Sequence, residues 1–136
     1  SFNQNAIYNF GLFMGICFQL KDDILDLFGD EKFGKKIGGD IISNKKTCLY
    51  IMAEKYSNLE QKKILYHIYS NSNISNEEKI NKVKILFKKV KVEEYCNKLV
   101  QKYYDKALIE LNKVSIDNSR KLKARLFFDQ IINRKI

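Results

Sequence analysis

The chain has 136 residues and a mass of 16.0 kDa, which is the size of one domain. With 45% hydrophobic and 30% charged residues it can build a core, which excludes a disordered tail. It has no proline, which argues against a turn-rich all-β protein and favours long helices.

The net charge is +9, but it is unevenly distributed. Residues 1–30 carry one Lys and four Asp, whereas residues 31–136 carry 24 basic and 12 acidic residues. Of the 25 basic residues 22 are lysines, and recognition of base edges favours arginine, so we expect no nucleic-acid partner. The acidic cluster near the start of a basic chain therefore needs its own explanation.

Apolar periodicity predicts helices along the whole chain. The first covers 5–29, is apolar on nearly every side from residue 7 to residue 18, and is therefore expected to be buried all round. A glycine-rich loop follows over 30–43. Further helices are predicted over 44–70 with a break at Ser57-Asn58, over 76–90 behind a Ser75/Glu78 capping box, over 92–113 and over 120–134. The fold class is therefore all-α, with no linker that divides the chain.

Cysteines and the apolar run bear on where the protein works. Cys17, Cys48 and Cys96 are far apart and form no Cys-x-x-Cys pair, which argues against a disulfide framework or a structural zinc site and predicts a cytoplasmic setting. The apolar run over 7–20 is too short to span a bilayer, so no stable membrane insertion is expected.

An acidic cluster lies at the end of the first predicted helix. Asp22 and Asp26 are four residues apart and share one helix face, with Gln19 one turn earlier and Asp23 beside them. Two carboxylates one turn apart repel each other unless a cation lies between them, and carboxylate oxygens suit Mg²⁺. The alternative is a solvated acidic face, although aspartates near a helix C-terminus oppose the helix dipole.

Lysines and glycines follow the acidic cluster. The runs are Gly34-Lys35-Lys36, Gly38-Gly39-Asp40 and Asn44-Lys45-Lys46-Thr47. Glycines let a backbone approach a ligand closely, and lysines supply point charges for phosphates. Acids for Mg²⁺ followed by lysines for phosphate indicate a metal-diphosphate site, with a flexible lysine-rich turn as the alternative.

The segment Phe18-Gln19-x-x-Asp22-Asp23-x-Leu25-Asp26-x-x-Gly29-Asp30 resembles the second aspartate-rich motif of the trans-isoprenyl diphosphate synthases. The Gly-Lys loop, the Gly-x-Asp element and the Lys-Thr pair of that family follow in the same order. The resemblance covers nearly the whole chain. It implies the C-terminal part of the isoprenoid synthase helical bundle, so that 1–136 is the C-terminal portion of one domain. The first aspartate-rich motif and the isopentenyl diphosphate site are not in these residues, so we expect this portion to be inactive alone.

The family resemblance also implies a reaction and a metal site. An allylic diphosphate held by Mg²⁺ loses pyrophosphate, the double bond of isopentenyl diphosphate attacks the resulting cation, and a proton is lost. Asp22 would be a direct Mg²⁺ ligand, Asp26 would bind the ion directly or through water, and Asp23 would support both. The complete enzyme is expected to be a homodimer.

The remaining implied roles concern the diphosphate. Lys35 and Lys45 would contact the allylic diphosphate, and Lys46 could exchange roles with Lys45. Gln19 would line the pocket beside the reacting carbons, and Asp40 would orient metal-bound water or Lys35.

Two other functions compete with catalysis. One is a non-catalytic, prenyl-synthase-like partner subunit, but such a subunit has no need of the intact acid and lysine set. The other is a basic helical module for nucleic acid or anionic membrane, which leaves the acidic motif unexplained. His67 and Cys48 are expected to be structural, and the lysine-rich stretch 79–91 is expected to be a solvated helical face.

Overall fold

A computed structural model describes residues 2–29 and 37–133 of the chain. Every regular element in these two ranges is an α-helix, which confirms the all-α prediction. The helices are α1 (Phe2–Phe28), α2 (Gly39–Ile42), α3 (Cys48–Tyr56), α4 (Leu59–Ser70), α5 (Asn76–Val90), α6 (Val92–Lys113) and α7 (Asn118–Ile132).

Local polar contacts explain where the first helices end and restart. Gly29 terminates α1: its N–H donates to the carbonyl of Leu25 at 2.9 Å, and a Cβ at this position would clash with that oxygen. The predicted break near Ser57 is confirmed, because Asn58 and Gln61 form a reciprocal capping box that starts α4.

Side-chain caps also set the starts of α3, α5 and α7. Thr47 caps α3, which therefore begins four residues later than predicted. Ser75 accepts a hydrogen bond from the Glu78 N–H at 3.2 Å, as predicted for α5. Asp117 caps α7, which begins at Asn118, two residues earlier than predicted. The predicted end of this helix at residue 134 lies outside the described residues.

The chain divides into two compact units, and the division falls inside α1 and α6. Unit 1 comprises Ser1–Asp22 and Asn97–Lys135, and unit 2 comprises Asp23–Cys96. Among the described residues, none of the helices combines the length and the apolar character needed to cross a bilayer.

Unit 1 is built on aromatic packing between α1, α6 and α7. Phe128 is fully buried, meets Phe10 edge-on at 5.9 Å and stacks on Tyr104 at 5.1 Å between ring centroids. The Cys17 thiol donates to the carbonyl of Val100 at 3.5 Å. These contacts cover one side of the unit 1 part of α1.

The expectation that this helix is buried all round is wrong in unit 1. Within residues 7–18, four apolar side chains expose 43 to 70% of their surface: Ile7, Tyr8, Leu12 and Phe18. No described atom comes within 4 Å of a Cβ built at Gly11 or Gly15. The apolar pattern extends around the helix, whereas the elements of unit 1 cover only one side of it.

Unit 2 is organised around α5, which packs against α2, α3 and α4. Val83, Leu86 and Phe87 carry its buried face. Tyr50 of α3 meets Tyr69 of α4 at 4.8 Å between ring centroids. This packing holds α2 against a helical core. The three cysteines are buried and form no disulfide.

Candidate functional site

Asp23 connects the end of α1 to the start of α3. The carboxylate belongs to a residue only 7% exposed, and its Oδ2 accepts a hydrogen bond from the Cys48 N–H at 3.3 Å. Its Oδ1 lies 3.7 Å from the Nζ of Lys45. A buried carboxylate is costly unless it is hydrogen-bonded and paired, and Asp23 has both kinds of partner. These contacts explain how the buried carboxylate is stabilised, and the metal-supporting role of Asp23 stays a prediction.

Asp26 holds the turn that leads into α2. Its Oδ2 accepts the N–H of Asp40 at 3.0 Å, and its main-chain carbonyl accepts the N–H of Gly38 at 2.7 Å. Gly38 has a φ of 88°, in the left-handed region that favours glycine. Asp26 therefore fixes the Gly38-Gly39-Asp40 element close to the acidic end of α1.

Lys45 lies beside two of the predicted carboxylates. Its Nζ is 3.7 Å from Asp23 and 4.0 Å from Asp40, and its N–H donates to the carbonyl of Asp40 at 2.9 Å. The side chain is half exposed, so each ion pair contributes less than about 1 kcal/mol and can be exchanged for another anion. Lys45 is thus a cation held near the acidic motif by its backbone rather than by strong ion pairs.

Lys46 has a different environment from Lys45. Its Nζ lies 5.4 Å from the centre of the Tyr50 ring, in a cation–π contact at the start of α3. The two adjacent lysines therefore have different neighbours: Lys45 lies beside the carboxylates of Asp23 and Asp40, and Lys46 lies beside the Tyr50 ring.

The other predicted site residues lie in unit 1 or outside the described residues. Asp22 and Gln19 are on α1 in unit 1, where Asp22 is half-buried and Gln19 is exposed. The helix is continuous through Phe28, so Asp22 precedes Asp26 by one turn, as the spacing predicts. Lys35 and its neighbour Gly34 lie outside the described residues.

Three residues near this site have structural roles that the sequence analysis did not assign to them. Thr47 is buried and caps α3, although the sequence suggested only a Lys-Thr pair. Asn44 has a φ of 57° and accepts a hydrogen bond from the Nζ of Lys79. The expectation that residues 79–91 form a solvated face is wrong for Lys79, which is only 7% exposed. Lys79 lies one turn before Val83 on the buried face of α5, so helical spacing is the signal that could have indicated its burial.

Comparison with known families identifies the chain. A family model described as Polyprenyl synthetase matches residues 1–87, which is more than half of the chain. The chain belongs to the polyprenyl synthetase family. All the site residues predicted above fall within the matched segment.

Curated relatives agree with the family. Over 108 residues the chain is 40% identical to a geranylgeranyl diphosphate synthase of Sulfolobus acidocaldarius, covering 79% of this chain and 32% of the relative. Over 98 residues it is 41% identical to farnesyl pyrophosphate synthase 1 of Cannabis sativa, covering 72% and 28%. The chain spans about a third of the length of the curated relatives it matches.

Solved structures support the helical-bundle fold of this family. A crystal structure of a geranylgeranyl pyrophosphate synthase superposes with a TM-score of 0.88 at 34% identity, covering 98% of this chain and 42% of that protein. A second, from Corynebacterium glutamicum and complexed with isoprenyl diphosphate and magnesium, has a TM-score of 0.80 at 24% identity, covering 96% and 37%. At that identity the second comparison shows the fold alone.

Proposed function

We propose that this chain supplies the second acidic motif and the lysine loop of a Mg²⁺-dependent isoprenyl diphosphate synthase. The reaction is the head-to-tail condensation of isopentenyl diphosphate with an allylic diphosphate. The observation that carries the proposal is the position of Lys45 beside the acidic end of α1. Its ammonium group lies within 4.0 Å of Asp23 and Asp40, in ion pairs weak enough to be replaced by a bound anion.

The chain corresponds to the C-terminal portion of a single synthase domain. Its share of the relatives' length, about a third, supports this assignment. The exposed apolar side chains of α1 in unit 1 support it as well, because such residues are usually covered in a complete bundle. The whole enzyme is proposed to be a homodimer, and the buried cysteines, which form no disulfide, support a reducing, cytoplasmic setting.

The donor set fits Mg²⁺. Within residues 2–29 and 37–133, no three His, Cys, Asp or Glu side chains are arranged to enclose a metal ion. Mg²⁺ does not require such an enclosure, because it commonly binds one or two carboxylates together with water and substrate phosphates. Asp22 and Asp26, one turn apart on α1, would be the ligands. Asp23 would support both, held in place by its hydrogen bond from the Cys48 N–H and its ion pair with Lys45.

The residues of the site have distinct roles in this proposal. Bound magnesium would neutralise the diphosphate and assist its departure. Lys45 would exchange its weak ion pairs for the allylic diphosphate and would stabilise the charge that develops on the leaving group. Lys35 would act on the same group, with Lys46 as a secondary contact.

Two further side chains organise the site in this proposal. Asp40 would orient Lys45, metal-bound water or Lys35, while its N–H keeps Asp26 in position. Gln19 would line the pocket beside the reacting carbons.

Asp22→Asn in the full-length protein tests the proposal. The substitution removes the charge that Mg²⁺ needs but keeps the shape of the side chain. Turnover of isopentenyl and allylic diphosphates should fall about a hundredfold or more, with an unchanged melting temperature. Glu77→Gln, on the exposed first turn of α5, is the matched control and should keep full turnover. Near-normal turnover of Asp22→Asn would exclude a metal-ligating role for Asp22.

A further inference from the structure

Lys79 of α5 is buried, and within residues 2–29 and 37–133 it forms no ion pair with an acidic side chain. Its side chain belongs to a residue only 7% exposed. Its Nζ donates to Oδ1 of Asn44 and lies 5.3 Å from the centre of the Tyr69 ring. Lysine is almost never fully buried unless it is paired, and burial lowers the pKa of Lys79. The hydrogen bond to Asn44 and the cation–π contact with Tyr69 are therefore the described contacts that offset the cost of burying this ammonium group, and they fix where it lies.

The residue after Lys79 contacts the other end of α2. Gly38 precedes α2 and is buried, and a Cβ at this position would lie 2.7 Å from Cδ1 of Ile80. Asn44 follows α2 and has a left-handed φ of 57°. Two consecutive residues of α5, Lys79 and Ile80, therefore contact the residues that flank α2 on either side.

The segment between these two contacts carries the polar groups of the site. Asp40 is in α2, and Lys45 directly follows Asn44. The N–H of Lys45 donates to the carbonyl of Asp40 at 2.9 Å. The ion pairs of the half-exposed Lys45 side chain are weak. The backbone position of Lys45 therefore determines where its ammonium group can bind an anion. That backbone position depends in turn on Asn44.

We propose that Lys79 is a positioning residue for Lys45. By donating to Asn44, Lys79 fixes the turn from which Lys45 reaches a diphosphate, and it does so without touching the ligand. The identity of that ligand rests on the function proposed above. The hydrogen bond between Lys79 and Asn44 is observed independently of that function.

Lys79→Met tests the proposal, because methionine keeps the buried aliphatic length and removes the N–H donors. In the full-length protein, the Kd for inorganic pyrophosphate measured with Mg²⁺ should rise about tenfold, and the KM for the allylic diphosphate should rise more than kcat falls. Asn44→Gly should reproduce the effect, since glycine tolerates the positive φ but offers no acceptor. Lys88→Met, an exposed lysine on the same helix, is the matched control and should change neither constant.

A double-mutant cycle separates positioning from general damage. In a Lys45→Met background, Lys79→Met should cause no further loss of pyrophosphate affinity, because its effect passes through Lys45. A further loss of about tenfold there would overturn the proposal, as would a lowered melting temperature with an unchanged Kd.

Amide hydrogen exchange at Lys45 gives a result that does not depend on the ligand. The exchange of this N–H should be faster in Lys79→Met and Asn44→Gly than in the parent and in Lys88→Met. Unchanged exchange would overturn the positioning of Lys45 by Lys79. A parent protein that neither binds pyrophosphate with Mg²⁺ nor transfers a prenyl group would overturn the proposed function instead.

Discussion

The same helix, α1, behaves differently in the two units. In unit 2, Asp23 and Asp26 direct carboxylate oxygens onto the N–H groups of Cys48 and Asp40, so the polar groups fix the segment that follows. In unit 1, Tyr8 and Phe18 of the helix lie exposed. Unit 2 therefore contains the contacts that organise its polar site, whereas the apolar surface of unit 1 is only partly covered by its own residues.

A pair of leucines tests this difference with the largest expected effect. Leu65 of α4 is fully buried in unit 2, and Leu12 of α1 is 47% exposed in unit 1. In the 136-residue chain, Leu65→Ala should lower the free energy of unfolding by about 3 kcal/mol. Leu12→Ala should change it by less than about 0.5 kcal/mol. Urea unfolding of both variants measures the two values, and equal losses would mean that the face of α1 in unit 1 is covered.

Two glycines test the same difference between the units, with smaller expected effects. Gly38 has a positive φ and is packed against Ile80, so Gly38→Ala should cost about 2 kcal/mol through strain in unit 2. Gly11 lies within α1 and has open space around it, so Gly11→Ala should raise the free energy of unfolding by about 0.5 to 1 kcal/mol. Thermal unfolding distinguishes a loss from a gain. If Gly11→Ala is destabilising instead, a neighbour must approach this position closely.

The sequence predicts most helix boundaries because they depend on local chemistry. Gly29 terminates α1, Asn58 caps the start of α4 within a predicted break, and Ser75 caps the start of α5. Each does so through contacts within a few residues. The α6 bounds agree with the prediction for the same reason, since apolar spacing is a local property. The acidic pair Asp22 and Asp26 follows directly from helical spacing.

What depends on tertiary packing could not be predicted. Periodicity shows that α1 is apolar on nearly all sides but does not show which sides are covered. Lys45 and Lys46 are adjacent and chemically identical. Only the structure shows that Lys45 lies beside Asp23 and that Lys46 lies over the Tyr50 ring. Helical spacing places Lys79 on the buried face of α5, but its contact with Asn44 depends on how α5 packs against the α2 region, which the sequence does not reveal.

The central claim is that Lys45 and the acidic end of α1 form a site for a magnesium-bound diphosphate. Isothermal titration of inorganic pyrophosphate into the full-length protein, with and without Mg²⁺, tests it most directly, with Lys45→Met and Lys46→Met as a matched pair. We expect Mg²⁺-dependent binding that Lys45→Met weakens by about tenfold or more and that Lys46→Met weakens much less. Equal effects of the two substitutions, or binding that does not require Mg²⁺, would contradict it.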